Sequence, residues 1–360
     1  MDIDIILECD VSPQQMAELG VEAERLGIRA LWSSNYHQNW DAFISLVPVA
    51  QATSRILIGP LAVSPWEMHP LKIANSALTL NEIADGRALV AISGGGGVLG
   101  ACGWKISNDA KMWPFKSDKG DRYPERRVRG VRECIEIIEL ARSGEMVYSY
   151  DGAMFQVTRP FQMDYATADG PFIYGCCSGP QMIRMGARIA DGIQVSDFTV
   201  ENMSTAMEDI QTGLDKREKS ADDFRIGNFW AWHIKEDRNV SMYEARRELI
   251  WRGALVAKYE DELRAFTDDD DGVKLILDNW MNFLKAYWTR SGEIDGVPED
   301  LVNRLIAGMS SAGDLDDLDR ELERFQNFKK SGLTELSLRL FDDPMDGLGI
   351  IGDRVLPALQ

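Results

Sequence analysis

The stretch Ile56-Leu57-Ile58-Gly59-Pro60-Leu61-Ala62-Val63-Ser64-Pro65-Trp66, carried on through Leu71–Ala84 and Arg87–Ile92 to Gly94-Gly95-Gly96-Gly97, decides how this chain is read. It is a strand, a helix and a second strand. Ile56–Gly59 is continuous and β-branched enough to be buried on both faces, as parallel strands are. In Leu71–Ala84, Ile73, Ala77, Leu80 and Ile83 fall at helical spacing. The glycine run stands just past the C-terminal end of the second strand, the edge where ligands of parallel α/β sheets gather. Four consecutive glycines exceed what a tight turn needs, and they let backbone approach a flat or anionic group closely.

The alternation extends on both sides of this unit. Ile3–Glu8 reads as the first strand, and Ser12, Pro13 and Gln15 open a helix with a cap, a proline in the first turn and a capping-box partner. Ala30–Ser33 is the second strand and Asp41–Ala52 the next helix. Phe172–Gly175, Gly192–Val195, Ile226–Ile234 and Glu335–Leu340 supply strands five to eight, with helices over Pro180–Ala190, Met203–Glu218 and Leu315–Lys329. Such regular repeats predict an α/β fold, a closed (β/α)8 TIM barrel rather than an open doubly wound sheet. Two segments interrupt it. Residues 100–122, with Trp104 and Trp113, have no clear period and read as a long active-site loop. Residues 236–312 read as a helical insertion, with helices over Ser241–Tyr259 and Val273–Trp288 around an acidic turn, Asp268-Asp269-Asp270-Asp271. Met146–Tyr150 and Met154–Val157 flank Asp151-Gly152, a hairpin signal. No linker splits the chain, so residues 1–360 read as one domain.

Composition narrows the partners. At 360 residues and 45% apolar content there is enough material for a full core. A net charge of −19 offers no basic excess for nucleic acid or an anionic membrane, so the expected partner is a small molecule. No run approaches the roughly 20 apolar residues of a membrane span, and the first residues lack a signal-peptide pattern. A cytoplasmic location follows, and five cysteines without metal-like spacing fit reduced thiols there.

Most catalytic templates are missing. There are only three histidines, His37, His69 and His233, in no metal-binding pair, and no nucleophile elbow or phosphate-cradling lysine loop. A chain so built is suited to let a cofactor carry the chemistry. Cys176-Cys177-Ser178-Gly179-Pro180 joins the fifth strand to a helix, which makes it either an ordinary turn or a phosphate pocket formed by unpaired N–H groups at the helix start. The segment from Trp32 to Trp40 ends the second strand, and there Tyr36, His37 and Trp40 offer acid/base groups and a stacking surface. His69 before Pro70 fits a capping role, and His233 fits a satisfied core histidine.

Taken in order, these blocks resemble the bacterial-luciferase-like superfamily of flavin- and deazaflavin-dependent oxidoreductases, most closely its branch that uses coenzyme F420. The resemblance rests on three blocks. These are Ile58–Gly97 with His69-Pro70 and Gly86-Arg87, Tyr123–Val157 with Arg126, Glu133 and Gly144, and Phe172–Val195 with Ser178-Gly179-Pro180 and Ala190-Asp191-Gly192. It implies a cofactor at the C-terminal mouth of the barrel and a non-proline cis peptide at Leu61-Ala62, behind the tricyclic ring. Leu61, Ala62, Ser64, Gly94, Gly95 and Gly96 then belong to the cofactor site, and Cys176, Cys177, Ser178 and Gly179 to its phosphate loop. Gln38 and Trp40 match the branch's glutamine and stacking tryptophan, and Tyr36 stands where a histidine base is usual, with His37 beside it. The chain departs from the pattern after the fourth strand, where Gly95–Gly97 replaces an acid. That argues against a sugar-phosphate substrate.

The expectation is hydride transfer between F420 and a small organic substrate, with Tyr36 or His37 moving the proton and Trp40 walling the site. An FMN-dependent monooxygenase fed by a separate flavin reductase is the alternative, and a non-catalytic flavin-binding protein is a third reading. The resemblance also implies a homodimer. F420 carries a polyglutamyl tail, which in so acidic a chain needs a local basic rim; Lys72, Arg252 and Lys258 are the candidates.

Overall fold

The computed structural model describes residues 1–95, 97–102, 126–252, 255, 260–267 and 269–359. Gly96, Lys258 and nearly all of the expected 100–122 loop lie outside them; Gly97–Ala101 forms a short helix. Eight strands make the barrel: β1 (Asp2–Leu7), β2 (Ala30–Ser34), β3 (Leu57–Leu61), β4 (Leu89–Ser93), β5 (Phe172–Cys177), β6 (Gly192–Ser196), β7 (Arg225–Ala231) and β8 (Glu335–Leu340). They pair in parallel in the order β3-β2-β1-β8-β7-β6-β5-β4. Parallel bridges Ile58–Ala88 and Val63–Ile92 join β3 to β4 and close the ring.

Period-two alternation sorts each strand into an outer and an inner face. On β1, Ile3, Ile5 and Leu7 pack outward against the helices, while Ile6 joins Ala30, Trp32, Leu61, Leu89, Ala91, Tyr174 and Phe229 inside the barrel. The same rule splits the adjacent cysteines: Cys177 packs with the outer layer, and half-buried Cys176 with the inner one. At the base, the inner positions are polar. The Arg29 guanidinium donates to both carboxylate oxygens of Asp4, which also accepts from Trp32 Nε1 at 2.9 Å. Glu335 accepts from the Tyr174 hydroxyl at 2.8 Å and from Arg225 Nε at 2.9 Å.

Local chemistry explains most element ends. Ser12 and Gln15 form the capping box, and Gly27 ends that helix at φ 90°. Arg87 donates to the carbonyls of Ala50, Thr53 and Ile56, tying the end of helix Leu46–Ala52 to the start of β4. Glu24 accepts from the N–H groups of Ser54, Arg55 and Ile56. Desolvation works against its ionisation, but those amides win and hold the carboxyl down at about 2. A depressed carboxylate stabilises the fold above its unfolded value and loses that contribution as pH falls through its folded one. Acid titration followed by circular dichroism should therefore show Glu24→Gln about 1 kcal/mol less stable at neutral pH, discounted for exposure, with the gap closing towards pH 2.

Several expected boundaries move. Regular helix begins at Leu46 rather than Asp41, because the Asp41 carboxylate accepts from the N–H groups of Phe43 and Ile44 and holds a turn there. The hairpin pairs Tyr150–Asp151 with Gln156–Val157 around a four-residue loop instead of a two-residue turn. The buried Glu133 carboxylate organises that loop by accepting from the N–H groups of Ala153, Met154 and Phe155. A Cβ at Gly152 would lie 2.4 Å from Glu133 Oε2, so this glycine is there for close approach. Asp269, expected in a solvated turn, caps the helix Asp270–Asp278 by accepting from Gly272 N–H at 2.8 Å.

In the 236–312 segment, helices Arg238–Glu248, Glu260–Arg264, Asp270–Asp278, Trp280–Thr289 and Glu299–Met309 surround an apolar cluster of their own that includes Leu249, Ile276, Phe283 and Leu305. The chain rejoins the barrel where His233 N–H donates to Ser311 O at 2.7 Å. No helix among the described residues is long and apolar enough to cross a membrane.

Candidate functional site at the barrel mouth

The peptide Leu61-Ala62 is cis, at the position the resemblance implies. Its surroundings satisfy the backbone it exposes. Asn35 N–H donates to Leu61 O at 2.9 Å, and the Asn35 side-chain amide donates to Ala62 O at 3.1 Å and to Glu67 Oε1. The same carboxylate oxygen accepts from Ser64 N–H at 2.8 Å, and buried Ser64 accepts from Trp66 N–H. Burial pushes the Glu67 carboxyl above its ordinary value despite these bonds. Asn35 and Glu67 were not singled out in the sequence; their tie to β3 forms only when β2 and β3 lie side by side.

Gly94 and Gly95 meet the Cys176–Pro180 turn across a cavity of about 520 Å³ that Arg127 also lines. Helix Pro180–Ile189 starts there with no side-chain cap, since Gly179 can offer none. Pro180 has no N–H and Met182 N–H is bonded to Gly179 O, so in the first turn Gln181 N–H, with the Ser178 hydroxyl, is the group offered to an oxyanion. A Cβ at Gly94 would come 3.0 Å from the Arg127 side chain, so the glycine admits the guanidinium to the cavity. Burial pushes the Cys176 thiol up to about 12, which keeps it neutral and unable to repel an anion. Amide, hydroxyl, guanidinium and a protonated thiol together fit a phosphate. Gly96 lies outside the described residues.

A second cavity, about 290 Å³, opens where β1, β2 and β8 end, and is walled by Glu8, Tyr36, Glu248, Tyr287, Arg290 and Asp342 among others. Glu8 follows Asp4 and Ile6 on the inward face of β1, and Arg339 follows Glu335 and Ser337 on that of β8. The Arg339 Nε lies 3.1 Å from Glu8 Oε1, which also accepts from the Ser34 hydroxyl at 3.2 Å. Burial raises the Glu8 carboxyl against the pull of Arg339, and nearby Glu248 adds to the rise. The Tyr36 phenol is likewise raised by burial and by the charge of Glu8. Perturbed, mutually interacting groups in a cleft make this a candidate acid/base centre.

The expected residues divide accordingly. Tyr36 joins Glu8 and Arg339, whereas His37 and Trp40 are exposed and absent from the cavity wall, with Trp40 half exposed at 50%. In the sequence Glu8 reads only as a strand end, although a carboxylate that closes β1 at the ligand edge is a usable signal. His69 caps helix Pro70–Ile83 by accepting from Leu71 N–H at 3.2 Å. His233 is buried, 2.7 Å from Glu244 Oε1 and stacked on Phe341. Arg252 corrects an expectation: it is 2% exposed and paired with Asp197 at 2.7 Å, so it forms no rim. A larger cleft, about 840 Å³, lies at the opposite face of the barrel, but Arg29, Arg142 and Arg225 there are already committed to Asp4, Asp191 and Glu335. In barrels of this kind the chemistry sits at the C-terminal mouth.

The fold is a TIM barrel, and its mouth carries a cavity whose donors suit a phosphate. The chain belongs to the luciferase-like monooxygenase family, whose model matches residues 7–328. It is 24% identical over 341 residues to a 5,10-methylenetetrahydromethanopterin reductase of Archaeoglobus fulgidus, covering 94% of this chain and 93% of that one. An F420-dependent glucose-6-phosphate dehydrogenase of Nakamurella multipartita is 23% identical over 97% of this chain and 93% of its own length. The solved coenzyme F420 dependent tetrahydromethanopterin reductase of Methanopyrus kandleri superposes with a TM-score of 0.76 at 21% identity, covering 100% of this chain and 99% of that one.

Proposed function

We propose that this chain is an oxidoreductase that passes a hydride between coenzyme F420 and a small organic substrate at the mouth of the barrel. The observation that carries the reading is the convergence of Gly94, Gly95, Arg127 and the uncapped Cys176–Pro180 turn on one cavity at the mouth that holds the cis Leu61-Ala62 peptide. Full-length relatedness to F420-dependent enzymes supports the choice of cofactor. When bound, the deazaflavin supplies the hydride; the protein binds, orients and handles the proton. Arg127, Ser178 and the Gln181 amide hold the phosphate, and Leu61-Ala62 with Ser64 backs the ring. Glu8, whose carboxyl is raised by burial, exchanges the proton at that carboxyl with the substrate, and Arg339 and Ser34 position it, with Tyr36 on the same cavity wall. The same reading takes the chain to be a cytoplasmic homodimer, which light scattering tests.

The direct test is anaerobic titration of pure protein with F420 and with FMN. Saturable binding of F420 supports the reading, and binding of FMN with oxygen uptake from its reduced form would replace it by the monooxygenase alternative. Gly179→Asp tests the phosphate pocket. The backbone there is extended, nothing lies within 4 Å of the new Cβ, and Asp is a better helix cap than Gly, so the fold tolerates the change. Its carboxylate should weaken the phosphorylated cofactor at least about ten-fold while leaving the phosphate-free deazariboflavin ring unaffected.

A further inference from the structure

Beside the phosphate cavity runs a groove of about 440 Å³ between helices Arg127–Arg142, Pro180–Ile189 and Val200–Leu214. Its wall carries six cations, Arg126, Arg129, Arg132, Arg184, Arg188 and Lys216, and no carboxylate. In a chain of net charge −19 this is a local reversal of sign. Arg129, Arg132 and Arg184 have partners in Glu133, Glu136 and Asp209. Arg126, Arg188 and Lys216 have no carboxylate partner among the described residues, so the groove keeps a positive excess. Helical spacing builds it: Arg129 and Arg132 stand three apart on one helix, Arg184 and Arg188 four apart on the next, so each pair shares a face. Val128 lines both this groove and the phosphate cavity, so the two are neighbours.

We propose that this basic groove holds the oligoglutamate tail of the deazaflavin, which leaves the cofactor on the far side of its phosphate. The inference rests on the F420 reading above. Successive carboxylates of a flexible tail match a row of separated cations, whereas FMN ends at its phosphate and would leave the groove without a ligand. The groove supplies the rim that the sequence sought at Lys72, Arg252 and Lys258. Lys72 instead donates to Asn75, and Arg252 is buried.

The test is an equilibrium titration, followed by cofactor fluorescence, with deazaflavins ending at the phospholactyl group, in a short tail or in a long one. Affinity should rise roughly ten-fold from the tail-less to the long-tailed form, and added salt should erase the difference. In Arg184→Ala/Arg188→Ala/Lys216→Ala, the long-tailed form should fall to the tail-less value while tail-less binding stays unchanged. Equal affinity of wild type for all tails, or equal loss of all of them in the variant, would overturn the groove's role and leave the cofactor reading standing. Failure of every deazaflavin to bind would end both.

Discussion

Glu8→Gln should lower turnover about 10²- to 10⁴-fold, the range expected when a positioned general acid or base is removed. Gln keeps the acceptor for the Ser34 hydroxyl and nearly the same volume, so cofactor affinity should change little, while losing the charge opposite Arg339 should lower the thermal midpoint. The signature is the pH profile. Burial raises the Glu8 carboxyl, so in the direction that reduces the substrate, activity needs its protonated form and declines as pH rises through that elevated value. In the reverse direction the carboxylate is required and the limb has the opposite sign. Both limbs should vanish in the variant. A variant that keeps wild-type turnover and both limbs would remove Glu8 from the chemistry, and a Tyr36→Phe profile would then show whether the phenol carries the proton.

Arg29→Ala should cost about 3–5 kcal/mol, the range measured when one partner of a buried ion pair is removed. Asp4 and Glu335 are both 0% exposed, and Arg29 is the cation between them, paired with Asp4 and 3.5 Å from Glu335 Oε1. Burial first, and the Glu335 charge in addition, already push the Asp4 carboxyl upward, with Arg29 opposing. Without the guanidinium Asp4 would have to protonate or stay buried without a cation, while Glu335 keeps Arg225. The sign in pH follows: the loss should be largest at neutral pH and above, and should shrink as pH falls through the carboxylate range. Thermal melts should show a drop of about 4–7 °C at pH 7. Adding Asp4→Asn should restore part of it, because the cation and the charge it served then leave together.

These two sites were legible to different degrees. The alternation of β1 fixes Asp4, Ile6 and Glu8 on one face, and that face is inward because Ile3, Ile5 and Leu7 must cover the helices. What meets those carboxylates is not local. Arg339 and Glu335 arrive from the last strand, which pairs with the first only when the barrel closes. Tyr36 and His37 are neighbours with equal claims in sequence, yet one turns to Glu8 and Arg339 and the other to solvent. No periodicity governs a loop after a strand, so that choice belongs to tertiary packing.

The chain by itself determined the strand-helix alternation, the glycine-lined strand ends and the caps at Ser12 and His69, because each depends on residues within one turn or one pleat. From the Ile56–Gly97 unit outward this was enough for a barrel and for the edge at which its ligand would lie. Only the tertiary structure decided which groups share that edge. It brought Gly94 and Gly95 to the Cys176–Pro180 turn, withdrew Arg252 into the core, set Arg339 against Glu8, and aligned arginines from two separate helices along one groove. Each of these joins residues distant in sequence, and their interaction energy exists only once ring closure has brought the strands and helices together.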